Sequence, residues 1–137
     1  MTIHFMKRRK QIIDFNDFQL NNSTPTDIDF IYEKDNKCWI FGEVKFAGVE
    51  VPKGQNLLFS RWLDNHAKLN IPTLYIHAEH TTPVNQTINL AELSIKTGIA
   101  VLPNKSGVYE KLKLDGLENE NVFEITKEFL LLCGVEK

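Results

Sequence analysis

No stretch of this chain of 137 residues comes near the roughly eighteen consecutive apolar residues of a membrane-spanning helix, so no span is expected. The basic start, MTIHFMKRRKQIIDF, has no apolar segment of useful length behind it and does not read as a secretory signal. Cysteine is scarce. Cys38 and Cys133 stand far apart in apolar surroundings, which reads as reduced core thiols in an intracellular, cytoplasmic protein; a disulfide between them stays open. There is no excess of positive charge. Sixteen Lys and Arg face eighteen Asp and Glu, for a formal net charge of -2, so no global field advertises nucleic acid, although a local basic patch is enough to bind it. Repeats, low-complexity tracts and long linkers are missing, and one domain over 1–137 is expected. Also absent are the phosphate loop G-x-x-x-x-G-K-S/T, the dinucleotide fingerprint G-x-G-x-x-G and the nucleophile elbow G-x-S-x-G. Cys38 has no histidine nearby in sequence, which leaves a thiol nucleophile without support.

What is present reads as alternating elements. RRKQIIDFNDFQL is a short amphipathic piece with helical character, and NNSTPT is a loop. DIDFIYE and CWIFGEVKF are strand-like runs joined by KDNK, which makes a β-hairpin. AGVEVPKG is a loop. QNLLFSRWLDNHAKLN spaces Leu57, Leu58, Trp62 and Leu69 as a helix does, and Asn70 with Pro72 marks its stop. PTLYIHAEH is a third strand, INLAEL a short helix, GIAVLP and YEKLKL further strands, and NVFEITKEFLLLCG a helix ended by Gly134. The order implies an α/β fold around one mixed β-sheet.

The charges fall in a pattern. Asp27 and Asp29 share one face at the start of the first hairpin strand; Glu43 and Lys45 share one face at the end of the second. Folding at KDNK brings these two ends together, so the groups converge beside the Pro/Gly loop. Clustered carboxylates are unfavourable unless something neutralises them, and oxygen ligands of this kind suit Mg²⁺ or Mn²⁺. Lys45 beside them is placed to steer a water and to offset charge on a phosphate.

TDIDFIY, FGEVK and the following GQ together resemble the PD-(D/E)xK nuclease superfamily, whose members include restriction endonucleases, Holliday-junction resolvases and VRR-type nucleases. The fourteen residues from Asp29 to Glu43 match the hairpin spacing of resolvase-like members, and TPTDID with EVKF and PKGQ looks like small phage-type members. The resemblance covers about residues 12 to 80. It implies a restriction-endonuclease-like core with a central β-hairpin flanked by helices, and a Mg²⁺- or Mn²⁺-dependent phosphodiesterase acting on nucleic acid, DNA first, in a phage-infected bacterial host. Asp29 and Glu43 then hold the metal, with Asp27 assisting or replacing Asp29. Lys45 polarises the attacking water, and Gln55 positions water, metal ligand or Lys45. Lys7, Arg8, Arg9, Lys10, Lys53 and Arg61 are the candidates for the nucleic-acid backbone. A duplex or branched substrate favours a homodimer.

Blander readings stand beside these. Glu43 and Lys45 also fit a solvated pair on an edge strand, Asp27 a turn, Gln55 the first turn of its helix, and Trp62 core packing. Gly42, Gly48 and Gly54 read as backbone devices. His77 and Glu79 face one way on the third strand and His80 the other; H-E-x-x-H spacing is absent, so these are structural or substrate-contacting histidines, with His80 the one expected near the site edge. His4 and His66 join no constellation. The alternative function is a non-catalytic interaction or inhibitor module on a nuclease-like scaffold, with a protein partner.

Overall fold

The computed structural model describes Asp14, Asp17, Leu20, Asn21 and residues 26–135. The amphipathic segment at 8–20 therefore lies almost wholly outside the described residues, as do Lys7, Arg8, Arg9 and Lys10.

Among the described residues, five strands form one mixed sheet in sequence order: β1 Phe30–Lys34, β2 Cys38–Phe46, β3 Thr73–His80, β4 Ser94–Pro103 and β5 Tyr109–Lys113. Neighbours pair antiparallel except β2 and β3, which run parallel. That one parallel pair needs a crossover, supplied by helix α1, Lys53–Lys68. A 3₁₀ turn, Leu90–Glu92, precedes β4, and helix α2, Val122–Leu132, follows β5. The α/β class with a mixed sheet agrees with the sequence. The hairpin expected at the centre of the sheet instead lies at one side: β1 is the outer strand and β3 the middle one. Strand order depends on which strand α1 delivers next to β2, which local sequence does not specify.

The hairpin turn follows from residue type. Asp35 and Asn36 both have positive φ, 50° and 59°, as primed turns require, and Lys37 N–H donates to the Lys34 carbonyl at 2.8 Å. β3 is buried from Thr73 to Ala78 because it is covered on both faces. One face packs Ile40, Leu74, Ile76 and Ala100 against Val122, Ile125 and Phe129 of α2. The other packs Phe41, Tyr75 and Val101 against Phe59 and Leu63 of α1. Phe41 stacks on Trp62 at 4.2 Å, and Trp62 Nε1–H donates to His66 Nε2 at 3.0 Å, with His66 Nδ1 2.6 Å from Thr73 Oγ1. Trp62 is thus packing, as its spacing suggested, and His66 anchors α1 to β3. Cys38 and Cys133 are free thiols that meet across the α2 side. α2 starts on Asn121, whose side chain accepts the Glu124 N–H at 2.8 Å. It ends at Gly134, φ 70°, with Val135 N–H returning to the Leu130 carbonyl.

Gly42 is demanded by a close approach. A Cβ there would collide with the backbone oxygen of Ile76 and stand 2.6 Å from the Phe30 ring. Gly42→Ala is expected to destabilise the fold by about 2 kcal/mol, the usual scale for overpacking. Urea unfolding checks it, and a variant as stable as its parent would contradict this packing.

Candidate active site

The odd-numbered residues of β2 face α1, so Phe41, Glu43 and Lys45 project from the same surface. β1 begins at Phe30, opposite Gly42, and the ladder extended by one places Asp29 beside Glu43. β1 supplies no ladder carbonyl to Val44 N–H; the Asp29 carboxylate accepts it instead at 2.7 Å. That bond fixes the Asp29 side chain at the hairpin end, within hydrogen-bonding reach of the Glu43 carboxyl. Lys45 Nζ lies 3.5 Å from Glu43 Oε2. Asp29, Glu43 and Lys45 are therefore brought together as the sequence suggested.

Their exposures differ sharply. Asp29 is exposed and Lys45 half-buried, whereas Glu43 is 1% exposed. Burial, then the Asp29 carboxylate, pushes the Glu43 carboxyl up to about 7; Lys45 opposes the shift without cancelling it. Glu43 Oε1 is buried and has no hydrogen-bond partner among the described residues. A carboxyl in this position is costly to ionise and unsatisfied, which excludes the solvated edge pair as its explanation.

Gln55 sits one turn before Phe59 on α1, so it too faces the sheet, and its Oε1 is buried without a partner among the described residues. The first turn of α1 has no side-chain cap and no acidic residue, so free N–H groups and Lys53 give that end positive character. Two further groups come from β3. The parallel register sets Glu43 beside His77 and Lys45 beside Glu79. Tyr75 Oη and His77 Nε2 are buried as well and have no hydrogen-bond partner among the described residues. Burial, and after it the Lys96 ammonium, hold the His77 imidazole below the usual histidine range. Glu79 accepts the Gly48 N–H at 2.9 Å, and Lys96 lies 3.6 Å from Glu50, which pins the loop after β2 over this face.

Other expectations are corrected. Asp27 is exposed, and among the described residues no group of three or more His, Cys, Asp or Glu is arranged to hold a metal, so a site with Asp27 as a third acid is not formed. His80 is not the histidine near the acids. It packs edge-on against Phe46 at 5.6 Å, and its Nδ1 accepts the Thr82 N–H. His77 takes that place because the even and odd residues of β3 face opposite sides. Lys53 and Arg61 are exposed on α1. Tyr75 and His77 could have been found from their same-face spacing once β3 was known to lie parallel beside β2.

Two carboxylates and an amide oxygen suit Mg²⁺ or Mn²⁺, which keep several waters and commonly use one or two carboxylates plus substrate phosphate. The orphaned Glu43 Oε1 is the observation that fits a cation there. No protein-family model, no curated protein and no solved structure matches this chain.

Proposed function

We propose that the chain is a Mg²⁺- or Mn²⁺-dependent nuclease that hydrolyses phosphodiester bonds in DNA, built on a restriction-endonuclease-like core. The observation that carries the reading is Glu43: a buried carboxyl, pushed up to about 7, held against Asp29 and Lys45 at one end of a hairpin. Such a pair is costly for the fold and gains its use when a cation arrives. Asp29 and Glu43 would hold the ion, which when bound supplies Lewis acidity and lowers the pKa of a nearby water. Lys45 orients that water and offsets charge gathering on the phosphate. Gln55 accepts a hydrogen bond from the water or from Lys45, and the open first turn of α1 faces the anionic substrate.

Calorimetric titration with Mn²⁺ tests this. Binding should appear in the parent protein and vanish in Asp29→Asn and Glu43→Gln. At ten times its dissociation constant, the ion should stabilise the fold by about 1.4 kcal/mol in denaturant unfolding. If the parent binds no divalent ion, the second reading, a non-catalytic interaction module, takes over. One feature favours that reading: an apolar groove of about 610 Å³ between β1 and α2, lined by Phe30, Tyr32, Phe123 and Leu131.

A further inference from the structure

On the same face as the acid pair, a cleft of about 260 Å³ runs between α1 and the β4–β5 side of the sheet. Asn56, Ser60, Tyr75, Lys111 and Lys113 line it. Lys111 and Lys113 stand two apart on β5 and so point to one side. Lys111 Nζ is 2.8 Å from Asp64 Oδ1 and donates to Ser60 Oγ at 3.3 Å, which leaves the Ser60 hydroxyl proton free to donate. Lys113 makes no ion pair among the described residues. At the inner end, Tyr75 is 5% exposed and its hydroxyl has no hydrogen-bond partner among the described residues. Burial, and then the Glu43 carboxylate, hold that hydroxyl well above the usual tyrosine range, so it stays a donor and lies close enough to feel the acid pair.

We propose that this cleft is an anion subsite that seats a backbone phosphate of the nucleic-acid strand next to the bond being cut. Two ammonium groups at the mouth and two hydroxyl donors within match a phosphate oxygen set, and the tyrosine joins the cleft to Glu43. By contrast, the polar cavity beyond the end of β3 carries Glu79 and Glu92 and would repel an anion. Asp64 competes for Lys111, and the phosphate displaces it there. The inference rests on the nuclease reading for the identity of the polyanion.

Binding of a labelled single-stranded DNA 12-mer is measured by fluorescence anisotropy in EDTA, between about 50 and about 200 mM salt. Lys113→Gln should weaken binding about fivefold and flatten the salt slope by about 0.7, one phosphate contact on a single strand. Tyr75→Phe should weaken it about threefold, and Asp64→Asn should tighten it by releasing Lys111. Thymidine 5′-monophosphate should compete with the oligonucleotide and thymidine should not. Unchanged affinity and slope in both Lys113→Gln and Lys111→Gln would overturn the subsite. Because no metal or cleavage is involved, the two ideas fail separately. A protein that binds through Lys113 but never cuts DNA keeps the subsite and loses the nuclease reading; one that cuts DNA with an unchanged slope loses the subsite alone.

Discussion

At pH 8 the Glu43→Gln protein should be more stable than its parent by about 3 kcal/mol, and the two should converge near pH 4.5. The sign follows from the shift. Glu43 has a folded-state pKa of about 7 against an ordinary 4.5, so the protonated form is the one the fold favours. The contribution is fully present below about 4.5 and is lost as pH rises through 7. Above that, an ionised carboxylate is buried at 1% exposure beside Asp29, with Lys45 its one ion-pair partner among the described residues. A glutamine keeps the size and removes the charge, so it removes Glu43's part of the pH dependence over that window and leaves that of the buried histidines His66 and His77 common to both proteins. Urea unfolding from pH 4.5 to 8 measures both curves. Parallel curves for parent and variant would mean that Glu43 is ionised at no cost, and the case for a cation site would lose its physical basis. The comparison is made without divalent ions, since bound Mn²⁺ should offset the repulsion and bring the parent back up.

Lys45→Ala should separate chemistry from metal binding. On β2 it emerges on the same side as Glu43, two residues on, with its ammonium 3.5 Å from Glu43 Oε2. An ammonium does not ligate a cation, so Mn²⁺ affinity at pH 8 should stay level or rise, because a nearby positive charge has gone. Cleavage should fall about a thousandfold, the scale of removing one preorganised charge from a developing oxyanion. Lys45→Arg should rescue little, since a planar guanidinium does not replace a compact point charge in a crowded corner. The pH matters: without Lys45 the Glu43 carboxyl rises further, so near neutrality the variant would lose metal by protonation and blur the distinction. Labelled single-stranded, duplex and four-way-junction DNA, and RNA, are the substrates. A Lys45→Ala protein that cuts any of them as fast as the parent would leave Lys45 a structural partner of Glu43.

The sequence by itself determined the local pieces. Alternation and turn chemistry placed β2 at Cys38–Phe46 and the turn at Asp35 and Asn36, and helical spacing placed α1 and α2. The same pattern put Asp29, Glu43 and Lys45 at one end of the hairpin, because a hairpin of fixed turn carries its register with it. Such features depend on neighbours a few residues apart. Only the tertiary structure decided what lies farther away. It set the hairpin at the side of the sheet, chose His77 over His80, left Asp27 out, and brought Tyr75, Lys111 and Lys113 to the α1 face. These placements turn on the parallel register of β2 with β3 and on where α1 lands across the sheet. Both are settled by burying Phe59 and Leu63 against Phe41, Tyr75 and Val101, a contact between residues up to about 40 positions apart that no local pattern encodes. The same packing removes Glu43 from water, and that burial makes a residue readable in one line of sequence an unusually weak acid.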